Sequence, residues 1–468
     1  MDAKHLKVKS SLKHDETSKS CFVFVEGSEA SVTNHHPEML LQECSTLMEE
    51  ILEKKNLKIA YETVVKNKGC AGIDDMKVAQ LKDYLKSNWR MIREQLLNAT
   101  YRPKPVKRLE IPKKCGGKRM LGIPTVLDRF IQQAILQVLQ HYIDPSFSDN
   151  SYGFRPKRSA IMAIEKSKEY VVSGYEVVVD IDLEKFFDRV NHDKLMSELF
   201  KRIKDSRVLK LIRSYLDGGA MEQGMFVVTV EGTPQGGPLS PFLSNIMLDL
   251  LDKELESRGL KHVRYADDCN IYVGSLKAGE RVMKSVSDFI EGKLKLKVNK
   301  DKSKVDKVDK RKFLGFRLLS KVVQSVKEIK IVLSPESLAR IKDRVRELTS
   351  KCRGISTSEM LKQLSRYLNG WIGYYGRIET GNVLKDLDGW IRRKVRCYQL
   401  KQWKTSTGRY NGLTEMKVSS SIAYLTSHSS RGLWHLSRCM AIQIAMSEEK
   451  LKKMGLISLF KVWKSKCS

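Results

Sequence analysis

The sequence predicts a mixed α/β body followed by an all-helical, strongly basic region. Short β-prone segments alternate with helical spacing up to about residue 325, whereas apolar residues beyond Ser334 recur mainly at helical spacing. Lys and Arg also exceed Asp and Glu by a wide margin, most visibly in the helical part. With 468 residues, the chain is long enough for roughly two to four domains.

The N-terminal part is expected to begin with a flexible leader. Residues 1–36 are polar and show no clear period, so they predict no packed element. Helical spacing then covers "LLQECSTLMEEILEKKNLKIAYETVVKN", and the glycines of "KGCAGIDD" interrupt it. A further helix is predicted over "VAQLKDYLKSNWRMIREQLLN".

The middle of the chain alternates strands and helices. Two β-prone pieces, Val106 to Ile111 and Arg119 to Ile123, flank a Lys/Gly loop and predict a hairpin with a basic tip. Four further segments predict a helix, a strand, a helix pair and a longer helix: "DRFIQQAILQVLQHYI", "YEVVVDID", "KLMSELFKRIKDSRVLKLIRSYL" and "LSPFLSNIMLDLLDKELESRG". The strand "RKFLGFRLL" ends the mixed part. Ser334-Pro335-Glu336 then supplies an N-cap, a proline in the first turn and an acidic residue for a new helix.

The charge balance indicates a polyanionic partner. Eighty-five Lys and Arg against fifty-five Asp and Glu give a formal net charge of +30. Counterion release makes so basic a surface bind phosphate chains strongly, which favours nucleic acid over a merely soluble basic protein. No apolar run is long enough to predict a membrane span. The nine cysteines form no CxxC pair, which argues against a zinc site or a disulfide framework.

Two sequence segments place carboxylates where a metal site could form. In "EVVVDIDLEKFFDRV", strand alternation puts Asp180 and Asp182 on one face and Val177, Val179 and Ile181 on the other. In "HVRYADDCNIYVGS", Asp267 and Asp268 lie at the turn of an otherwise apolar hairpin. If this turn meets the strand end, like charges would raise each other's pKa, and two Mg²⁺ ions would remove the conflict. An isolated Asp-Asp pair would more simply be a polar turn.

The ordered motifs resemble the group II intron-encoded reverse transcriptase/maturase family. "YADD", "DIDLEKFFD" and "EGTPQGGPLSPFLSNIMLD" are similar to reverse transcriptase palm motifs, and "RPKPVKRLEIPKKCGGKRMLGIPT", "SYGFRPKRSA" and "LNGWIGYYGRIE" extend the similarity from about residue 40 to the end. Within this family, the motifs resemble the bacterial group IIC-like branch. The resemblance implies a right-hand polymerase: fingers and palm over 37–325, a helical thumb or maturase domain X over 330–410, and a short DNA-binding region over 411–468.

The resemblance also implies roles for individual residues. Asp182, Asp267 and Asp268 match the metal-binding catalytic aspartates, which hold two Mg²⁺ ions, with Mn²⁺ as a substitute. Asp182 is preferred to Asp180 because the family's aspartate stands four and five residues before the Phe pair. Phe187 matches the aromatic residue that excludes ribonucleotides, and Phe186 is assigned to the core. The other expected substrate-binding residues are Lys113 and Arg119 for the triphosphate, Gln235 and Gly236 near the nucleotide, and Lys302 for protonating pyrophosphate.

Expected nucleic-acid contacts are less specific. Arg155 could contact the template or brace the palm, and the sequence leaves both alternatives open. A basic helix with interleaved aromatics suits structured RNA, and its expected contacts are Arg392, Arg393, Arg396 and Lys404. Any single lysine between residues 293 and 312 could equally be a solvated charge.

The implied function is an RNA-directed DNA polymerase that binds its intron RNA, assists splicing and supports intron mobility by target-primed reverse transcription. The implied partners are intron RNA, an RNA template with a DNA or RNA primer, target DNA and dNTPs, with a homodimer left open. The implied location is a bacterial cytoplasm, at the nucleoid or in a ribonucleoprotein. No paired-cysteine HNH endonuclease motif is found, so the chain is not expected to cut the second DNA strand. Two alternatives stay open: a splicing cofactor with little polymerase activity, and a domesticated reverse transcriptase in DNA repair or defence.

Overall fold

The structure is a computed structural model that describes residues 46–112, 118–222, 225–227, 232, 236–323, 326–350 and 353–467. The expected flexible leader, residues 1–36, lies outside these ranges. The described residues belong to a single compact unit, which runs from Pro37 to Ser468. Within the described ranges, no helix has the length and apolarity needed to cross a membrane.

The first part of the chain contains helices around one hairpin. Its elements are α1 (Leu47–Ile51), α2 (Lys54–Asn67), a 3₁₀ turn (Val78–Gln80), α3 (Leu81–Leu97), β1 (Val106–Pro112), β2 (Lys118–Ile123), α4 (Val126–Ile143), a 3₁₀ turn (Asp144–Ser146) and α5 (Ala160–Val172). The predicted hairpin is confirmed, since β1 and β2 pair antiparallel with Leu109 opposite Leu121. Thr125 begins α4 because its side chain accepts a hydrogen bond from the Asp128 amide.

The middle part contains the strands that carry the acidic motifs. Its elements are β3 (Val177–Ile181), α6 (Phe186–Arg189), α7 (His192–Arg202), α8 (Ser206–Asp217), β4 (Ala220–Glu222), β5 (Met225–Val227), α9 (Ser240–Ser257), β6 (Lys261–Tyr265), β7 (Asp268–Val273), α10 (Leu276–Gly292), β8 (Lys304–Lys307) and a 3₁₀ turn (Val308–Lys310). Strands β6, β7, β3 and β8 form one sheet in that order, and β2, β1, β4 and β5 form another.

The last part is a hairpin followed by helices. Its elements are β9 (Phe316–Val323), β10 (Val326–Leu333), α11 (Pro335–Leu348), α12 (Thr357–Tyr375), α13 (Asn382–Gln402), α14 (Ser406–Glu415), α15 (Ser420–Ser427), α16 (Leu433–Leu436), α17 (Met440–Ala445), α18 (Glu448–Lys453) and α19 (Leu459–Cys467). The predicted N-cap is confirmed, because the Ser334 side chain accepts from the Ser337 amide at the start of α11.

Two apolar cores cover the opposite faces of the sheet that carries β3. Val177, Val179 and Ile181 contribute to the first core, together with residues of α4 and α9. Val178 on the opposite face and Tyr272 of β7 belong to the second core, which continues through β9 and β10 into the helical region. The sheet therefore joins the two halves of the chain.

Several elements differ from the prediction or were not predicted, among them the first helix and strand β10. The first predicted helix is divided into α1 and α2, because the Asn56 side chain donates to the Ile51 carbonyl at 2.8 Å and ends α1 there. Strand β10 was not predicted, although Ile329 and Ile331 alternate with charged neighbours and are buried. The mixed α/β part therefore reaches Leu333.

Candidate active site

The two aspartates of "YADD" lie at the turn and the start of a strand in a tight hairpin. Strands β6 and β7 pair antiparallel up to Tyr265 opposite Asp268, which leaves Ala266 and Asp267 as the two turn residues. Ala266 has φ +58°, the left-handed region that a two-residue hairpin requires at its first position and that an alanine rarely adopts. The turn is therefore bent at an energetic cost that other contacts have to offset.

Strand β3 brings the other acidic motif to this turn. Strands β3 and β7 pair antiparallel, with Asp180 opposite Asn270 and Ile181 opposite Cys269. Asp182 follows Ile181 directly, at the end of the strand where Asp268 begins β7. The predicted approach of the hairpin turn to the strand end is thus confirmed by the register.

Burial and neighbouring charges raise the pKa of two of the clustered carboxylates, Asp268 and Asp180. Burial and the neighbouring charges of Asp267, Asp180 and Asp182 raise the pKa of Asp268 to about 7. Burial also raises the pKa of Asp180, although Arg311 acts in the opposite direction. Asp268 keeps part of its surface exposed, and solvent weakens such couplings. The direction of its shift shows that repulsion and desolvation outweigh the opposing effect of Lys302.

Each of the two aspartates that end the β3 motif has its own basic partner. The Lys302 ammonium lies 3.3 Å from Asp182 Oδ1, and the Arg311 guanidinium binds Asp180 Oδ2, with Nε at 3.1 Å. Arg311 also donates to the Lys302 carbonyl at 3.3 Å. Nε and Nη2 of Arg311 both donate to the same oxygen of Asp180, and this charge-assisted contact links β3 to the chain after β8. Asp182 has only the flexible ammonium of Lys302, which is 65% exposed, as its ionic partner among the described contacts.

The donor set fits a hard divalent cation. Carboxylate oxygens are the ligands that Mg²⁺ prefers, and a cation among them would relieve the repulsion that raises the pKa of Asp268. Among the described residues, however, no group of three or more His, Cys, Asp or Glu side chains is already arranged to hold a metal ion. A small reorientation of the carboxylates would have to accompany metal binding.

Phe187 and Gly236 lie between the two acidic motifs in sequence. Phe187 in α6 is half-buried and packs edge-on against the buried Phe186, with ring centroids 5.3 Å apart. Gly236 has φ +141°, and a Cβ placed on it would stand 2.4 Å from the Gly122 carbonyl oxygen of β2. The turn at Gly236 therefore touches the hairpin of β1 and β2, and only glycine permits this approach.

Three expected substrate residues are described incompletely or not at all. Lys113 and Gln235 lie outside the described residues. Arg119 belongs to β2 and pairs with Ile111 of β1, which fixes the position of its backbone alone.

Two family models match this chain. A model described as "Reverse transcriptase (RNA-dependent DNA polymerase)" covers residues 111–318, and one described as "Group II intron, maturase-specific domain" covers residues 338–415. Protein YkfC of Escherichia coli K12 is 33% identical over 316 residues, which are 59% of this chain and 83% of YkfC. The chain belongs to the group II intron-encoded reverse transcriptase/maturase family. This family combines RNA-directed DNA polymerase and splicing maturase functions.

Other relatives share a smaller part of the chain. The group II intron-encoded protein LtrA of Lactococcus lactis subsp. cremoris is 38% identical over 199 residues, 42% of this chain and 32% of LtrA. The similarity to LtrA thus spans about a third of that protein. Among solved structures, telomerase from Candida albicans in complex with a telomeric RNA fragment matches with a TM-score of 0.40 at 12% identity, over 75% of this chain and 68% of that chain.

Arg155 of this reverse transcriptase/maturase corrects one expectation. Its side chain is 4% exposed, and its guanidinium donates to Asp144 and to the carbonyls of Ser148 and Ser151. A guanidinium whose donors are used inside the protein has none to offer a template phosphate. Of the two alternatives, bracing fits this burial and nucleic-acid contact does not.

The expected RNA-binding side chains of α13 differ in their surroundings. Arg392 pairs with Glu448 at 3.2 Å, whereas Arg393 stacks on Trp434 with its guanidinium carbon 3.6 Å from the ring centroid. Arg396 donates to the Met446 carbonyl at 2.9 Å. These arginines therefore also hold α13 against the C-terminal helices. Lys404, in contrast, is exposed just beyond the end of α13.

The sequence analysis did not predict two buried polar residues, Arg264 and His192, that make hydrogen bonds between elements of the palm motifs. Arg264 of β6 is fully buried, and His192 lies with Nε2 2.6 Å from the Gly232 carbonyl oxygen and Nδ1 3.2 Å from Asp217. The signal for Arg264 was a charge placed between apolar hairpin residues, in "HVRYADD". Its partner is 12 positions earlier on a helix, which no local pattern indicates.

Proposed function

We propose that this chain is an RNA-directed DNA polymerase that also binds its group II intron RNA, assists splicing and supports mobility by target-primed reverse transcription. The observation that carries the proposal is the register of β3, β7 and β6, in which Asp182, Asp267 and Asp268 lie at the same end of the sheet. Membership of the reverse transcriptase/maturase family supports it. We further propose that it works in a bacterial cytoplasm, at the nucleoid or in the intron ribonucleoprotein.

The proposed chemistry is attack of a primer 3′-hydroxyl on the α-phosphorus of a dNTP. Asp182, Asp267 and Asp268 would hold two Mg²⁺ ions, or Mn²⁺ instead, and ions bound in this way stabilise the attacking and leaving oxygens of phosphoryl transfer. Lys302 stands beside Asp182 and is proposed to donate a proton to the departing pyrophosphate. Its exposed ammonium is free to swing from the carboxylate toward a phosphate.

The remaining substrate contacts are assigned by motif and geometry. Gly236 lets the turn after "TPQ" approach the fingers hairpin, which favours a nucleotide held between the two. Lys113 and Arg119 are proposed to bind the triphosphate, whose charge the metal ions neutralise only in part. Phe187 is proposed to lie under the sugar and exclude a 2′-hydroxyl, and Gln235 to contact the nucleotide.

One observation favours a second candidate function. In the described part of the chain, no three acidic side chains are yet arranged for a metal ion, and Lys302 occupies the carboxylate of Asp182. A splicing cofactor with little polymerase activity would not need these aspartates to bind metal ions, so Lys302 could remain paired with Asp182. The two candidates differ in whether nucleotides are incorporated.

Primer extension on an RNA template with Mg²⁺ and dNTPs tests the proposal. The wild type should extend the primer, Asp267→Ala should not, and both should bind structured intron RNA equally well. Asp83→Ala, on the exposed surface of α3, is the matched control and should extend like the wild type. Intron RNA binding without any extension by the wild type would replace the polymerase by the splicing cofactor.

A further inference from the structure

We propose that Arg264 is a positioning residue that fixes the catalytic hairpin turn, with Asp252 as its buried counter-ion. The inference rests on the proposed polymerase function, since its consequence for rate requires a polymerase. Arg264 is completely buried and is not among the residues proposed to bind metal or substrate. It acts through the peptide group that joins Ala266 to Asp267.

The Arg264 guanidinium is completely buried and saturated with acceptors. Nε lies 2.8 Å from Asp252 Oδ1, and Nη2 lies 2.5 Å from Asp252 Oδ2 and 2.8 Å from Ser151 Oγ. Nη1 donates to Asn245 Oδ1 and to the Ala266 carbonyl oxygen, both at 3.0 Å. Arg264 and Asp252 both have a relative exposure of 0%. Every N–H of the guanidinium therefore has an acceptor, which fixes its orientation.

The hydrogen bond from Arg264 to the Ala266 carbonyl restricts the backbone geometry just before Asp267. The Ala266 carbonyl belongs to the planar peptide unit that precedes Asp267, so holding that oxygen fixes the plane from which the Asp267 backbone continues. Ala266 itself has φ +58°, which costs an alanine free energy. A fixed donor on its carbonyl offsets this cost and favours the bent turn over an extended alternative.

A second set of contacts holds the turn from the neighbouring loop. The Tyr152 amide donates to the Arg264 carbonyl, and the Arg264 amide donates to the Asn150 carbonyl, both at 2.9 Å. Gly153 then passes so close that a Cβ on it would stand 2.3 Å from the Ala266 nitrogen. Asn245, which accepts from Arg264, also donates to the Gly153 carbonyl at 2.9 Å. The Arg264 guanidinium is thus hydrogen-bonded to helix α9, to Ser151 of the neighbouring loop and to Ala266 of the hairpin turn.

A purely stabilising role is the rival explanation, because buried ion pairs occur elsewhere in the same region. Arg202 of α7 and Asp249 of α9 form such a pair, with side chains 9% and 0% exposed and Nη2 2.7 Å from Oδ2. Besides Asp249, Arg202 contacts Ser146 Oγ and the ring of Phe147, and Asp249 also pairs with Lys253 at 2.8 Å. This pair is therefore a control for the loss of a buried ion pair on the same helix α9.

The test replaces each ion pair by apolar residues, which often preserves stability when both partners are changed together. In Arg264→Met/Asp252→Leu, kcat for primer extension should fall on the order of 100-fold, the loss that follows from misplacing a reacting group by about 1 Å. KM for dNTP and the affinity for primer–template should stay near wild-type values. Arg202→Met/Asp249→Leu should keep the wild-type kcat.

Hydrogen exchange provides a readout independent of activity. In metal-free protein, amides of a peptide covering residues 263–270 should exchange faster in the Arg264 double variant and at the wild-type rate in the control. Wild-type exchange and kcat in a folded Arg264 double variant would overturn the proposal. Equal losses in both double variants would also overturn it, because they would assign Arg264 a general stabilising role.

A conservative variant keeps the test decisive if the double variant does not fold. Arg264→Lys retains the charge opposite Asp252, but a single ammonium cannot reach Asp252, Ser151 and Ala266 together. It should lower kcat and speed exchange at the turn, and unchanged values of both would overturn the proposal. If the wild-type protein extends no primer, the proposed polymerase function fails, whereas the exchange measurements still test the positioning.

Discussion

The Lys302 ammonium lies 3.3 Å from both carboxylate oxygens of Asp182, across 120 positions of sequence. This contact connects the predicted proton donor directly to a predicted metal ligand. A carboxylate that binds a metal ion gives up part of its attraction to a lysine, so metal binding would release the ammonium toward the substrate. The exposure of Lys302, at 65%, leaves it room to make that movement.

Lys302→Met should lower kcat for nucleotide addition on the order of 100-fold, within the usual contribution of a general acid. KM for dNTP should change little, because the proton is transferred during chemistry. Single-turnover extension with saturating dNTP measures this step. Lys304→Met, on the same segment and also exposed, is the control and should behave like the wild type. An equal loss in both variants would indicate a general electrostatic contribution to nucleic-acid binding.

The raised pKa of Asp268 predicts how stability depends on pH in metal-free protein. The folded state keeps the Asp268 proton up to a pH of about 7, whereas the unfolded chain releases it near 3.8. The folded state therefore binds more protons between these values, and its stability falls as the pH rises through them. Asp268→Asn should remove this loss.

Thermal melting without metal, from pH 4 upward, checks the prediction about Asp268. The melting temperature of Asp268→Asn should exceed that of the wild type by a margin that widens toward pH 7. Added Mg²⁺ should reduce the margin by stabilising the wild type. A margin that does not change with pH would show that Asp268 is not protonated in the folded state.

Phe187→Ala should admit ribonucleotides while leaving dNTP incorporation largely intact. The half-buried ring of Phe187 packs on Phe186, so its removal opens space without exposing the main core. Competition between a ribonucleotide and the matching dNTP measures the selectivity. Phe186→Leu is the comparison: it changes a ring that is 2% exposed and should lower stability without relaxing selectivity. Unchanged selectivity in Phe187→Ala would remove this residue as the gate.

Lys404→Ala should weaken intron RNA binding and reduce the slope of log K against log salt by about 1, as expected for one lost phosphate contact. Its melting temperature should not change, because the side chain is exposed. Arg393→Ala should lower both RNA affinity and melting temperature, since Arg393 also stacks on Trp434 and donates to its carbonyl at 2.9 Å. Filter binding across a salt series separates the two effects. A Lys404 variant with wild-type slope would exclude it from the RNA interface.

Local patterns predicted the elements better than the partners of their side chains. The strand alternation in "EVVVDID" correctly separated Val177 and Val179 from Val178, because the side chains of a strand point alternately to opposite faces. The nucleic-acid role expected of Arg155 did not fit the structure, since Asp144 and the carbonyls of Ser148 and Ser151 bury it. A surface arginine and a bracing arginine look alike in sequence.

The sequence by itself determined the order of the acidic and glycine motifs, the tight hairpin around Asp267 and the basic character of the helical region. The tertiary structure alone decided that Arg311 engages Asp180, that Lys302 faces Asp182 and that Arg264 fixes the turn. The reason is physical. Alternation and turn geometry follow from neighbouring residues, whereas an ion pair forms between groups that only the folded chain brings within a few ångström.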